Sequence, residues 1–267
     1  MAVGIKIVAV IVVYQQFLKD TETYRTLLEG ANIPYMVYDN SPNAQALVEK
    51  NISYIHNSNN PGVSKAYNEA IKWAKGISAS HLLLLDSDSN FPKIALETYT
   101  TAAVNFPNQL ILPSLTSAGR KISPFYFFNG KSHYGDSIKE GNLQLGRQLA
   151  INAGSLLPLA HLENVNFNEK LPLDWSDVYF FRELSKTSIK AQHIPLTIEH
   201  SLSEHEERTL SSVKFRFGLY LKGISEVSDS KGEKLMMYFW AKLKATKLGI
   251  HYTSPWFLIQ FVKRLYG

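Results

Sequence analysis

The stretch "HLLLLDSDSNFP" (residues 81–92) sets four leucines directly before two carboxylates, Asp86 and Asp88, with only Ser87 between them. An uninterrupted apolar run of this length, closed by a polar turn, has the character of a strand buried on both faces. Carboxylates delivered to the end of such a strand resist ionisation unless a cation or a ligand compensates them. A turn at Ser87 lets both point toward one cavity. As a bare pattern Asp-x-Asp is more often a solvated turn or a helix cap, and it is the four leucines that shift the reading toward a site.

Outward from this stretch, apolar runs alternate with helical ones. "IKIVAVIVVY" is followed by "DTETYRTLLEGA", "PYMVYDNS", "NAQALVEKN", "ISYIHN" and "GVSKAYNEAIKWAKG" before the leucine run itself. Strand alternating with helix predicts a mostly parallel, Rossmann-like central sheet flanked by helices, with ligands bound beyond the carboxyl ends of the strands. Tyr14, Asp39, Asn60 and Asp86 all fall at or just past such ends. A helix over about 92–106 and a strand in "NFPNQLILPSL" continue the pattern, and "KISPFYFFNGKSHYG" reads as a further strand and loop. "LPLDWSDVYFFRELSKTSIKAQHIPLTIEHSLS" then gives loop, helix and strand.

The chain has 267 residues, 45% of them apolar, and no cysteine, which excludes disulfides, thiolate metal sites and thiol catalysis. Lys6 interrupts the apolar start and no small-residue cleavage pattern follows, so the first run is read as a strand rather than a signal peptide. No uncharged apolar run is long enough to cross a bilayer. The net charge of +5 is uneven: residues 208–267 carry eleven Lys/Arg against three Asp/Glu, and residues 1–207 carry seventeen against twenty. After about residue 203 the pattern turns helical, which predicts a catalytic unit over 1–203 and a basic, aromatic-rich helical appendage over 204–267. The chain is expected in the cytoplasm, with its basic tail suited to the inner face of the cytoplasmic membrane. A helical cap with its lysines in water explains the tail equally well. Nucleic acid ranks lower as a partner, because no recognised binding module accompanies the charge.

Several residues carry candidate chemistry. Gly62 permits close backbone approach at the start of a helix whose free amides suit an anion, and Lys65 adds a positive charge; an ordinary capped core helix fits the same letters. Asp39 and Asn40 have the groups to read a nucleobase edge, although an Asx turn would use them too. Tyr14 suits stacking on that base or closing the core. Asp177 reads locally as an N-cap or as a general base beside an aromatic wall, and Asp174 is its rival. His200, leaving a β-like run, would complete a metal shell if it emerged near Asp88; a lone histidine is more often structural.

Together "VVYQQ", "YDNS", "NNPGVSKAYNEAI", "LLLLDSDS", "NAGSLL", "LDWSDVYFFREL" and "IEHSLS" resemble, in order, the landmarks of the family 2 inverting glycosyltransferases of the GT-A fold. The resemblance spans about residues 5–203, and "LLLDSDS" and "DWSD" lean toward the rhamnosyltransferase-like branch. It implies transfer of a sugar from a nucleoside diphosphate donor, dTDP- or UDP-linked, to a hydroxyl of a glycan or lipid-linked acceptor. It implies a divalent cation, Mn²⁺ or Mg²⁺, bound by Asp88 and His200, and a nucleotide-sugar site drawing on Tyr14, Asp39, Asn40, Gly62, Lys65, Asp86 and Ser87. Asp177 falls on the family's catalytic base, while Asn152, Gly154 and Trp175 fall on the sugar and acceptor pocket. Gln15 and Ser176 depart from the family's usual letters, and Arg182 follows Asp177 by five residues where relatives have six. A catalytically silent nucleotide-sugar-binding or scaffold protein of the same fold is the alternative.

Overall fold

A computed structural model describes residues 4–47, 52–135, 137–200 and 209–266. The strands are β1 (Ile7–Val13), β2 (Tyr35–Asp39), β3 (Ile52–His56), β4 (His81–Leu85), β5 (Ser89–Asn90), β6 (Gln109–Ser117), β7 (Arg120–Ser123), β8 (Phe125–Phe128), β9 (Lys131–His133), β10 (Gly141–Leu143), β11 (Gln148–Leu149), β12 (Leu156–Pro158) and β13 (Lys190–His200). The helices are α1 (Val63–Gly76), α2 (Ala95–Asn105), α3 (Ser176–Ser185), α4 (Leu210–Val227), α5 (Lys231–His251) and α6 (Trp256–Tyr266).

The main sheet runs β10-β13-β6-β12-β4-β1-β2-β3. Strands β4, β1, β2 and β3 are mutually parallel, as are β6 and β13. The short β12 is wedged antiparallel between β4 and β6. Alternation explains why the leucine run is unbroken: Leu82 and Leu84 enter one core with Val8, Val10, Val12 and α1, while Leu83 and Leu85 enter a second with Ile7, Ala9, Ile11 and α2. Both faces of β4 are therefore dry, and the first position free of leucine is Asp86.

Three local expectations change. "DTETYRTLLEGA" forms a short π-helical turn over Tyr24–Leu28. Residues 43–47 of "NAQALVEKN" are irregular; its remainder, like "SLS" at 201–203 and the 203/204 boundary, lies outside the described residues. "KISPFYFFNGKSHYG" gives three strands rather than one, with β8 and β9 joining β11 in a separate small sheet.

The C-terminal helices share the α1-side core. Phe217, Leu221, Ile224, Met237, Ala241, Phe257 and Phe261 are buried in the same cluster as Phe180 and Phe181 of α3. Arg182 reinforces this, pairing with Glu233 of α5 (2.5 Å), lying 3.3 Å from Asp229 and donating to the Val227 carbonyl. Arg182 is thus tied to the tail.

Candidate active site

The Asp-x-Asp pair and His200 meet through strand pairing. Residues 87 and 88 form a turn, β5 follows at once, and β5 pairs antiparallel with the end of β13 so that His200 stands opposite Ser89. His200 Nδ1 lies 3.0 Å from Ser89 Oγ and 3.5 Å from Asp88 Oδ1. One ligand atom each from Asp86, Asp88 and His200 falls within 4.8 Å of the others. Two carboxylates and an imidazole form a hard, oxygen-rich donor set that fits Mg²⁺ or Mn²⁺.

Sequence reasoning missed Tyr67. It lies on the buried face of α1, and its hydroxyl donates to Asp86 Oδ1 at 3.0 Å. Burial, then the charge of Asp86, push this phenol well above its usual pKa, so it remains a donor. The signal was a tyrosine at helical spacing with Ala66, Ala70 and Ile71, whose buried hydroxyl needed a partner.

Asp177 sits one residue inside α3, not at its cap; Trp175 precedes the helix in the left-handed region, with φ +70°. Asp177 Oδ1 accepts from the Asn152 backbone N–H at 3.0 Å. Its side chain keeps partial exposure to the cleft but is deeply surrounded by protein. Desolvation raises its pKa to about 7; the Asn152 bond opposes this, and the charges of Asp86 and Asp174 add to it. Asp174 instead faces Arg216 of α4 at 3.6 Å. Trp175 donates its indole N–H to the Tyr220 carbonyl (2.9 Å) and stacks on the Tyr220 ring at 5.0 Å.

These groups line one cleft of about 1420 Å³. Tyr14, Asn40, Gly62, Asp86, Ser87, Asp88, Asn152, Trp175, Asp177 and His200 are brought together there, with the rival Asp174. The Oδ1 atoms of Asn40 and Asn152 and Oδ2 of Asp174 are buried without a hydrogen-bond partner among the described residues, and such acceptors call for donors from a bound molecule.

Asp39, Lys65 and Gly154 lie off the walls. Asp39 is fully buried and accepts from the Ser41 N–H (2.9 Å) and the Tyr54 hydroxyl (2.8 Å). Lys65 pairs with Glu69 at 3.1 Å and Glu169 at 3.4 Å. Gly154 is packed against Pro113 and Ile198, and its carbonyl accepts from Tyr99. The amides at the start of α1 are not all free, because Val63 N–H donates to the Pro172 carbonyl at 2.8 Å. Gly62, at φ +90°, is needed because an added Cβ would lie 2.2 Å from that carbonyl oxygen.

The tail was not expected to form part of the site, yet Phe215, Arg216 and Tyr220 of α4 and Trp240, Lys244 and Lys247 of α5 form one wall of the cleft. Lys244 lies 4.1 Å over the Tyr220 ring, and Lys131 of β9 lies 4.7 Å over Trp240. Interleaved cations and aromatics in the tail were visible in sequence; their placement against "DWSD" was not.

The fold is GT-A. It is similar to that of S. aureus TarS 1-349, with a TM-score of 0.58 at 12% identity, covering 97% of this chain and 81% of that one. The TarS 1-349 structure in complex with UDP-GlcNAc matches with a TM-score of 0.56 at 12% identity and the same coverage. GalNAc-T7, solved with UDP, GalNAc and Mn²⁺, matches with a TM-score of 0.58 at 9% identity, covering 98% of this chain and 57% of that one. No curated protein matches the chain significantly in sequence. The sequence profile of Glycosyl transferase family 2 matches residues 22–156, just over half the chain. With that match, on a GT-A fold whose cleft gathers the Asp-x-Asp pair, the chain belongs to glycosyl transferase family 2.

Proposed function

We propose that the protein is a metal-dependent inverting glycosyltransferase that moves a sugar from a nucleoside diphosphate donor to a hydroxyl of a glycan or lipid-linked acceptor. The observation that carries this reading is the convergence of Asp86, Asp88 and His200 within 4.8 Å in the cleft that also holds Asp177, with its pKa near 7. Asp86, Asp88 and His200 would hold a divalent cation, Mn²⁺ or Mg²⁺, whose chemistry there is to neutralise charge on a departing diphosphate. Tyr67 keeps Asp86 oriented by donating to one oxygen and leaving the other free.

Asp177 acts as the base. As the acceptor oxygen bonds to the anomeric carbon, the hydroxyl proton passes to the Asp177 carboxylate, and the bond from that carbon to the phosphate oxygen breaks with its electron pair leaving on the nucleoside diphosphate. A pKa near 7 suits a group that must be ionised to accept a proton and basic enough to hold it. The Asn152 N–H fixes the carboxylate, and the pairing of Asp174 with Arg216 favours Asp177 over its rival.

For the donor, the neighbours solved with UDP and UDP-GlcNAc support a uridine-linked sugar. Rhamnosyl transfer from a dTDP donor is the finer reading, supported by the resemblance of "LLLDSDS" and "DWSD" to that branch. Tyr14 and Asn40 are assigned to the nucleotide, and Asn152 and Trp175 to the sugar and acceptor. The test is release of nucleoside diphosphate across a panel of dTDP- and UDP-sugars with and without Mn²⁺. Metal-dependent release from one donor class is expected; binding without release from any donor would favour a silent carrier.

A further inference from the structure

Large apolar side chains are exposed unevenly: the C-terminal helices contribute eleven of the eighteen exposed among the described residues. On α5, Leu235, Met236, Phe239, Leu243 and Ile250 are exposed, whereas Met237, Ala241 and Ala245 are buried. At about 100° per residue the exposed five fall within an arc of about 100°, opposite the three buried ones. Lys231 and Lys242 flank that arc on one side, and Lys247 on the other. On α6, Leu258, Ile259, Val262 and Leu265 are exposed while Phe257 and Phe261 are buried. Residues 231–266 hold seven Lys/Arg and one acid, Glu233, which is already paired with Arg182.

We infer that α5 and α6 form a surface that lies flat on an anionic bilayer, the apolar arc entering the boundary between headgroups and acyl chains and the flanking cations meeting lipid phosphates. Interfacial helices combine these two features. A second copy of the chain is a poorer occupant, because stacking two such faces would bring their lysines together with no acid to offset them. No described helix is long and apolar enough to cross a membrane, so the helices rest on the surface. Trp240, Leu243, Lys244 and Lys247 of α5 belong to the cleft wall as well. Docking therefore sets the mouth of the cleft at the lipid surface, where a hydroxyl on a lipid-borne acceptor is in reach. The surface stands on exposure and charge alone, independent of the transfer chemistry.

The test is sedimentation of the full chain with phosphatidylcholine vesicles, with and without about one-third phosphatidylglycerol. Binding is expected with the anionic vesicles and is expected to weaken as salt rises. The triple variant Leu235→Ser, Phe239→Ser, Ile250→Ser should bind about tenfold or more weakly, since three large apolar side chains no longer enter the bilayer. Lys231→Glu with Lys242→Glu, which leaves the apolar arc intact, should remove the preference for anionic lipid. Unchanged circular dichroism and Mn²⁺ binding would show that both variants are folded. Indifference to both vesicle types would overturn the inference, as would binding that survives both variants. A dimer in sedimentation velocity that the triple-serine variant dissociates would assign the face to a second copy instead.

Discussion

The strand-end floor of the cleft carries Asp86 and Asp88 with His200, whereas the wall supplied by α4 and α5 carries Arg216, Lys244 and Lys247 among aromatic rings. On the floor, backbone register fixes the charges: β4 delivers the acids, and the β5–β13 pairing delivers the histidine. On the wall, packing of side chains contributed by the last quarter of the sequence fixes them. Asp174, Trp175 and Asp177 form the seam, since Asp174 faces Arg216 and Trp175 stacks on Tyr220. On the proposed reading the side chains that would hold the cation come from the sheet, while one wall of the cleft comes from the tail.

The sharpest way to break that division is at the seam. Asp177→Asn keeps the shape and the Asn152 contact but removes the proposed base, so turnover should fall about 10³-fold in a donor–acceptor assay while Mn²⁺ binding persists. Asp174→Asn should cost far less; the reverse ranking would move the base to Asp174. Next in size is the tie between α3 and α5. Arg182→Ala leaves Glu233 partly buried without its counter-charge, the Asp229 N–H still donating to Oε2, and chemical denaturation should show a loss of about 3 kcal/mol.

Gly223→Ala probes the wall from the other side. Its Cβ would stand 2.4 Å from Trp175 Cδ1 and 3.0 Å from Leu171 Cδ2, so the indole must move. A stability loss of about 2 kcal/mol is expected, with a shift in tryptophan fluorescence. An unchanged spectrum would mean that Trp175 is not held by α4.

The smallest effect is on pH. The folded Asp177 carboxyl keeps its proton up to about pH 7, whereas an unfolded one loses it near its ordinary pKa of 3.8. Folding is thus favoured at low pH, and that advantage is lost as pH rises from about 4 to about 7. Relative to wild type, Asp177→Asn should gain no more than about 2 kcal/mol at pH 8, allowing for the carboxylate's partial exposure, and the gain should shrink toward pH 4. With Asp177 as the proposed base, a pH–rate profile should show turnover falling on the acid side of about pH 7.

The floor was legible in sequence because period-two alternation and a leucine run ending on Asp86 are local signals. Even so, the meeting of His200 with Asp88 required a pairing 111 residues apart, which no local pattern encodes. Tyr67 was hidden as a core aromatic until its hydroxyl had a partner. The letters at Asp39 and Lys65 fit a ligand and a local contact equally: Asp39 accepts from its own turn, and Lys65 pairs with its i+4 neighbour Glu69. The wall could not be read at all, since cation–aromatic interleaving looks the same on a free appendage and on a helix that closes a cleft.

The central claim is that Asp88 and His200 together hold a divalent cation beside the reacting phosphates. Titration of Mn²⁺ in the presence of UDP, followed by electron paramagnetic resonance, addresses it directly. One tight site is predicted in the wild type and in Asp177→Asn, and none in the double variant Asp88→Asn, His200→Gln. Equal Mn²⁺ binding in all three proteins, or none in the wild type, would contradict the account.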